Sequence, residues 1–93
     1  MPSITVQFHT LIRNALDTES IKVDADNVGA AIKQVDAKFG QQIRNIYKLG
    51  KDIALYEFCM LLLNGLAVDM KEIDRTVLKA GDTIHILPPA AGG

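Results

Sequence analysis

A short apolar run followed by an Asn-Gly pair is the feature that most restricts the fold of this 93-residue chain. The run, Phe58-Cys59-Met60-Leu61-Leu62-Leu63, is apolar at every position, which is typical of a central strand with packing partners on both faces. Asn64-Gly65 is the strongest short-range signal of a hairpin, because both positions of a type I′ turn need positive φ. Residues 66–68 are then predicted to form the short returning strand.

Three other segments show the period of two that is typical of half-buried strands. Residues 4–8 and residues 20–24 alternate apolar and polar side chains, and a turn-like stretch joins them as a hairpin with a loose connection. Residues 83–87 alternate in the same way after a turn at Gly81-Asp82. These segments supply the remaining strands of the predicted sheet.

One amphipathic helix lies between the second and third strands. Asp26-Asn27 offers N-cap side chains, apolar residues recur at helical spacing from Val28 to Phe39, and Gly40 stands where a C-terminal cap belongs. Residues 41–56 allow two alternatives, one or two further helical turns ending near Gly50 or a long loop. The order of elements predicts an α+β fold in which a mixed sheet of about five strands packs on one main helix.

The residues after the last strand predict an arm rather than more globule. Pro88 and Pro89 end the strand, because proline donates no N–H and has a fixed φ. Side chains then shrink through Ala90-Ala91 to Gly92-Gly93, and six residues can reach roughly 20 Å at about 3.3 Å per residue. We therefore expect a domain over residues 1–87 and a flexible arm over residues 88–93, although a frayed terminus is the simpler alternative.

Composition excludes several classes of protein. The net charge is −1, which gives no strong field for nucleic acid or anionic membrane. The single cysteine, Cys59, allows no internal disulfide. The first residues show no signal-peptide pattern, and the longest apolar run is too short to cross a bilayer. We expect a cytoplasmic protein with neither nucleic acid nor membrane among its partners.

Three motifs together resemble the ubiquitin-like β-grasp sulfur-carrier family, and most of all its molybdopterin synthase small-subunit branch. They are Asn64-Gly65, the Leu-x-x-Gly-Asp turn at residues 78–82, and the Pro-Pro-x-x-Gly-Gly end at residues 88–93. The predicted order of elements also matches this family across nearly the whole chain.

The resemblance implies chemistry at the C-terminal carboxylate of Gly93. An E1-like enzyme would use ATP to join AMP to this carboxylate, a sulfur donor protein would convert the adenylate to a thiocarboxylate, and Gly92 would permit close approach. The implied acceptor complex is molybdopterin synthase, in which the large subunit receives the arm. No cofactor is expected to be bound, and no catalytic constellation is present in the sequence.

Three alternative functions stay open. The chain could carry sulfur for another pathway, such as thiamine, cysteine or tRNA thiolation. It could instead be a ubiquitin-like modifier whose Gly93 forms isopeptide bonds with lysines. A plain interaction module with an incidental tail is a third class of function.

The apolar run predicts a partner surface, since only one of its faces can meet the helix. Either Met60 and Leu62, or Cys59, Leu61 and Leu63, should lie on the open face, with Leu87 beside them. Folding of residues 41–56 over this face is the alternative. We expect Met60, Leu62, His85, Leu87, Pro88 and Pro89 to contact partners.

His9 and His85 are predicted on the outward phase of their strands, and on one face if those strands are neighbours. A two-ligand metal site is conceivable, but no third ligand is placed to complete it, so partner contact is preferred and no metal site is predicted. Cys59 is expected to be a small, inert core residue.

Overall fold

A computed structural model describes residues 1–89 of the chain. Its five strands are β1 (Ser3–Phe8), β2 (Ser20–Asp24), β3 (Met60–Leu63), β4 (Leu66–Ala67) and β5 (Thr83–Leu87). They form one sheet in the order β2-β1-β5-β3-β4. The β1–β5 pair is parallel and the other pairs are antiparallel, so the sheet is mixed, as predicted.

Three α-helical segments accompany the sheet, namely α1 (Thr10–Leu16), α2 (Val28–Ile46) and α3 (Leu55–Phe58), with a short 3₁₀ turn at Met70–Glu72. The main helix α2 begins as predicted, because the Asn27 side chain accepts a 2.8 Å hydrogen bond from the Ala30 N–H. Among residues 1–89, no helix is both long and apolar enough to cross a membrane. The architecture is the predicted α+β fold with one main helix.

One face of the sheet carries the core. Ile4, Val6 and Phe8 of β1 and Ile84 and Ile86 of β5 have no exposed surface. They pack against buried apolar residues of the helices, which are Ile12, Leu16, Val28, Ala31, Ile32, Val35, Ile43 and Leu55. We call this side of the sheet the closed face. The 41–56 segment contributes Ile43 and Leu55 to this side, so the idea that it covers the opposite face is wrong.

Three local predictions are corrected by the structure. The loose connection between the first two strands contains helix α1, which buries Ile12 and Leu16 one turn apart. The apolar run does not begin as a strand, because Leu55–Phe58 form a helical turn and β3 begins at Met60. Strand β3 lies inside the sheet, between β5 and β4, but only one of its faces is packed, because Leu61 is buried and Met60 is 49% exposed.

The predicted helix end at Gly40 is also wrong, and of the two alternatives for residues 41–56 the helical continuation is the one observed. Helix α2 continues through Gly40 to Ile46, and an ion pair between Asp36 and Arg44 spans this glycine. The Arg44 Nη2 atom lies 2.9 Å from an Asp36 carboxylate oxygen, and Arg44 Nη1 donates a 3.0 Å hydrogen bond to the Ile53 carbonyl. A Cβ on Gly40 would lie 2.9 Å from Arg44 Nη2 and would collide with the Asp36 carboxylate. Gly40 therefore makes room for a contact that ties α2 to the following loop.

Candidate functional site

The face of the sheet opposite the core is the candidate site, and strand register assigns its residues. Directly paired residues point to the same side of a sheet, whereas neighbours along a strand alternate. Leu61 pairs with the buried Ile86, so the flanking pairs Met60–Leu87 and Leu62–His85 point the other way. We call this side the open face.

Burial shows which of the two alternative sets of apolar residues in the 58–63 run lies on the open face. Met60 is 49% exposed, whereas Leu61 is 5% exposed and Cys59 is buried. Leu62 and Leu87 are half-buried on the open side. Met60, Leu62 and Leu87 therefore form one apolar strip, which we call the β3–β5 strip, and of the two alternatives the Met60–Leu62 set is the one observed.

Strand β5 ends beside this strip. Its last residue, Leu87, pairs with Met60, and the half-buried Pro88 and Pro89 follow directly. The geometry thus brings together Met60, Leu62, His85, Leu87, Pro88 and Pro89, the residues that the sequence predicts as partner contacts. Their role in binding stays a prediction. Gly92, Gly93 and most of the predicted arm lie outside the described residues.

His9 and His85 meet on the open face, because β1 and β5 are neighbours, as the sequence analysis required. His9 Nε2 and His85 Nδ1 are 2.8 Å apart, which is a hydrogen bond between two imidazoles. The ring centroids are 5.0 Å apart. Partial burial, followed by the nearby His85 and Arg13, lowers the pKa of His9, so His9 favours the uncharged state near neutral pH.

Two turns at the far end of the open face are joined by side chains. The Asn-Gly hairpin has positive φ at both positions, 51° at Asn64 and 90° at Gly65, as predicted. Asn64 Nδ2 donates a 2.9 Å hydrogen bond to Asp82 Oδ1, and the Thr83 N–H donates to Asn64 Oδ1 at 2.9 Å. The Lys79 N–H donates to the other Asp82 oxygen at 2.8 Å. These bonds connect the hairpin to the Leu-x-x-Gly-Asp turn that precedes β5.

Cys59 is placed as the sequence analysis expected. It is buried at the end of α3, and burial raises the pKa of its thiol to about 12. At neutral pH a thiol with this pKa is almost entirely protonated, so Cys59 is a poor nucleophile.

Within residues 1–89, no group of three or more His, Cys, Asp or Glu side chains is placed to hold a metal ion.

Sequence reasoning missed one buried polar contact and one consequence of topology. The contacts of Arg44 have one signal in the sequence, an arginine between the apolar helix positions Ile43 and Ile46. The direct His9–His85 bond depends on β1 and β5 being adjacent, which no local pattern can establish.

Comparison with known proteins gives a family. The model of the ThiS family matches residues 6–93. Small archaeal modifier protein 1 from Methanosarcina acetivorans is similar in structure at 26% identity, with a TM-score of 0.76 over 100% of this chain and 98% of that one. The protein of the same name from Haloferax volcanii is also similar, with 26% identity, a TM-score of 0.66, and coverage of 98% and 99%.

A third structure shares the fold alone. It is the complex of subunits 1 and 2 of the molybdopterin-converting factor from Helicobacter pylori, with 24% identity, a TM-score of 0.53, and coverage of 98% and 99%. No curated protein sequence matches the chain. The structural matches confirm the β-grasp fold, and the family model spans nearly the whole chain. The chain therefore belongs to the ThiS family, and it is a sulfur carrier of the ThiS and MoaD kind or a modifier like small archaeal modifier protein 1.

Proposed function

We propose that this protein is a sulfur carrier that works through the C-terminal carboxylate of Gly93. The observation that carries the proposal is the β3–β5 strip, which residues 1–89 leave partly exposed next to Pro88 and Pro89. An apolar strip of this kind marks a binding surface. The ThiS family match, which runs to residue 93, supports assigning the chemistry to the end of that arm.

The proposed activation has two balanced steps. The Gly93 carboxylate attacks the α-phosphate of ATP in an E1-like enzyme, which forms an acyl-adenylate and releases pyrophosphate. The terminal sulfur of a donor-protein persulfide then attacks the acyl carbon and AMP leaves, which forms an acyl disulfide. A second thiol of the donor attacks the donor's sulfur in this acyl disulfide, so that a protein disulfide forms and the thiocarboxylate leaves on Gly93. With free hydrosulfide as the donor, attack and loss of AMP give the thiocarboxylate directly. The carrier needs no bound cofactor, because ATP and sulfur enter through its partners.

The open face would hold the carrier on those partners while the arm enters their active sites. A partner that covers Met60, Leu62 and Leu87 removes their apolar surface from water. This burial favours binding by about 25 cal/mol per Å². His85 adds a polar contact next to Leu62, and Pro88 and Pro89 end the strand because proline donates no backbone N–H. Gly92 has no side chain to obstruct a narrow channel.

For the acceptor, we propose the precursor of molybdopterin, with this chain as the small subunit of molybdopterin synthase. The Pro-Pro-x-x-Gly-Gly end supports this branch of the family. The Helicobacter pylori structure of the same fold contains subunit 1 and subunit 2 of the molybdopterin-converting factor together. By analogy, a large subunit would bind the open face here. Because the activation consumes ATP, we place it in the cytoplasm.

A second candidate function is protein modification. It is favoured by the similarity to small archaeal modifier protein 1, with 26% identity and a TM-score of 0.76 over the whole chain. The same adenylate on Gly93 would then be attacked by a lysine amine of a target protein, which forms an isopeptide bond and releases AMP. Carriers for other pathways, such as thiamine, cysteine or tRNA thiolation, share the activation steps and differ only in the acceptor.

Intact mass distinguishes these functions. The protein is incubated with an E1-like enzyme from the same source, ATP and a sulfide donor. A sulfur carrier gains the mass of one sulfur in place of one oxygen, and the variant lacking Gly93 gains nothing. No change with an enzyme that forms the adenylate would overturn the carrier function. Adducts on lysines that resist thiol reagents would instead establish the modifier.

A further inference from the structure

We propose that His9 and His85 form a two-histidine site on the open face for a divalent transition-metal ion such as Zn²⁺, Ni²⁺ or Cu²⁺. Neutral imidazole nitrogen is a favoured ligand of these ions. The site would be bidentate, with its remaining coordination positions filled by water or by groups from a bound molecule. This inference does not depend on the proposed sulfur chemistry.

The distance between the two facing nitrogens fits a shared ion. His9 Nε2 and His85 Nδ1 are 2.8 Å apart. Two imidazoles bound to one ion at about 2.0–2.1 Å, in cis positions, have nitrogens about 2.9–3.4 Å apart. Admitting an ion requires the two nitrogens to separate by a few tenths of an ångström and the rings to turn, because in the hydrogen bond the facing nitrogens point at each other rather than at a shared ion. Both side chains are half-buried rather than enclosed, so an ion can reach them from solvent.

The backbone fixes this arrangement before any ion binds. Strands β1 and β5 pair in parallel, with Gln7 opposite His85 and Phe8 opposite Ile86. His9 follows Phe8 directly and is the N-cap residue of α1, where its carbonyl accepts a hydrogen bond from the Arg13 N–H. Two ligands on paired strands lose little conformational freedom on binding, and such pre-organisation increases affinity.

Protons balance without a net change when the pair is neutral. In the hydrogen bond, one of the two facing nitrogens carries a proton and the other presents a lone pair. Binding needs lone pairs on both. The shared proton leaves to solvent, and a proton is taken up on the outer nitrogen of the same ring, so that ring changes tautomer and stays neutral.

One nearby charge works against the site and provides a sharp test. Arg13 lies close enough to lower the pKa of His9, which means that it also repels a cation bound there. Its side chain is exposed, so it can be neutralised without disturbing the core. We expect Arg13→Gln to tighten metal binding by about two- to fivefold, in the low-salt conditions where screening is weak.

The experiment is a titration of the tag-free full chain with Zn²⁺ at pH 7.5, by calorimetry and by NMR of the histidine ring nitrogens. We expect one ion per chain, with His9 Nε2 and His85 Nδ1 unprotonated and bound to the ion and with a proton on the outer nitrogen of each ring. His9→Asn and His85→Asn should each weaken binding at least tenfold. Gln7→Ala, which changes the open face beside His85 without removing an imidazole, should leave the affinity unchanged.

Three outcomes would overturn the proposal. They are no binding at millimolar Zn²⁺, full binding retained in either Asn variant, and a bound state in which the proton of either ring stays on its facing nitrogen. The NMR measurement uses the wild-type chain, so it tests the site even if a variant folds poorly. A series with Ni²⁺ and Cu²⁺ should show tighter binding of Cu²⁺ than of Ni²⁺.

Discussion

The closed face and the open face of the sheet are built from alternate residues of the same strands, yet only the closed face is sealed. Along β5, Ile84 and Ile86 are fully buried, whereas His85 and Leu87 are half-buried. Along β3, Leu61 is buried and Met60 is half-exposed. The helices and the 41–56 segment cover one side, and no segment of residues 1–89 buries Met60 on the other.

This difference separates residues that stabilise the fold from neighbouring residues that are available for binding. Residues on the closed face lose stability when they are changed, because their neighbours cannot fill the space. Residues on the open face already meet water, so changing them should affect what binds there. Neighbours in sequence on one strand therefore form natural pairs for testing the distinction.

The largest effect is expected at Leu61. Leu61→Ala should lower the free energy of unfolding by about 2–5 kcal/mol, because it leaves a cavity in the core. Met60→Ala, one position earlier, should lower it by less than about 1 kcal/mol. Urea unfolding of wild type and both variants measures these free energies, and the comparison holds when the three m-values agree. Equal losses would mean that the two faces of β3 are not distinct.

The second effect concerns binding. Leu62→Arg should weaken the complex with the E1-like enzyme or large subunit at least tenfold, because it places a charge in the β3–β5 strip. The free energy of unfolding should change by less than about 1 kcal/mol. Leu66→Arg is the matched control.

Leu66 is suited to this control because it is 75% exposed and pairs with Leu63, so it points away from the open face. Calorimetric titration should give wild-type affinity for Leu66→Arg. If both arginine variants weakened binding equally, the partner would recognise the hairpin rather than the open face. If Leu62→Arg unfolded, Leu62 would belong to the core.

Much of the fold follows from local patterns. The Asn64-Gly65 turn, the alternation of β1, β2 and β5, and the Asn27 cap each arise from a few neighbouring residues, and the structure has all of them. Elements that depend on distant contacts were harder to predict. Helix α1 has just two buried positions, Ile12 and Leu16, and this is too little for a clear helical period.

Residues 40–59 show why tertiary contacts defeat sequence patterns. Gly40 has the character of a helix end, but the Asp36–Arg44 ion pair needs it inside the helix. Phe58 belongs to the apolar run that predicts a strand, yet it lies in the helical turn α3. There its ring packs against Tyr47, with the ring centroids 5.9 Å apart. Prediction of the candidate site was limited in the same way. The open side of β3 follows from its pairing with β5 and from the packing of the helices, which no local pattern shows.

The third effect is a reversal of sign at Gly40, in the helix that covers the closed face. Alanine in place of glycine inside a helix usually adds about 1 kcal/mol of stability. Here Gly40→Ala should instead cost about 1 kcal/mol, because the methyl group displaces the Asp36 carboxylate from the largely buried Arg44 guanidinium. Thermal or urea unfolding measures the change.

The Asp36→Ala background provides the control for this reversal. With the carboxylate absent, the methyl group of Gly40→Ala displaces only the end of the Arg44 side chain, which Asp36 no longer holds, so most of the usual helix gain of about 0.5–1 kcal/mol should return. A gain of stability from Gly40→Ala in the otherwise wild-type chain would show that the ion pair does not require the glycine.

The smallest effect is expected where neither face is involved, at the paired turns. Hydrogen bonds from Asn64, and then from the Lys79 N–H, hold the pKa of Asp82 below its ordinary value of 3.8. A carboxylate with a lowered folded pKa stabilises the fold above about pH 3.8 and loses that contribution as the pH falls through the folded pKa. Asp82→Asn should therefore be less stable than wild type at pH 6, and the difference should shrink toward pH 3.

NMR titration of the Asp82 carboxyl carbon tests the cause directly. In Asn64→Ala the pKa of Asp82 should move back toward 3.8, because its strongest hydrogen-bond donor is gone. A pKa that stays low in this variant would assign the effect to the Lys79 N–H alone. A stability difference between wild type and Asp82→Asn that does not change with pH would mean that the turns are joined by geometry, and that the charge of Asp82 contributes nothing.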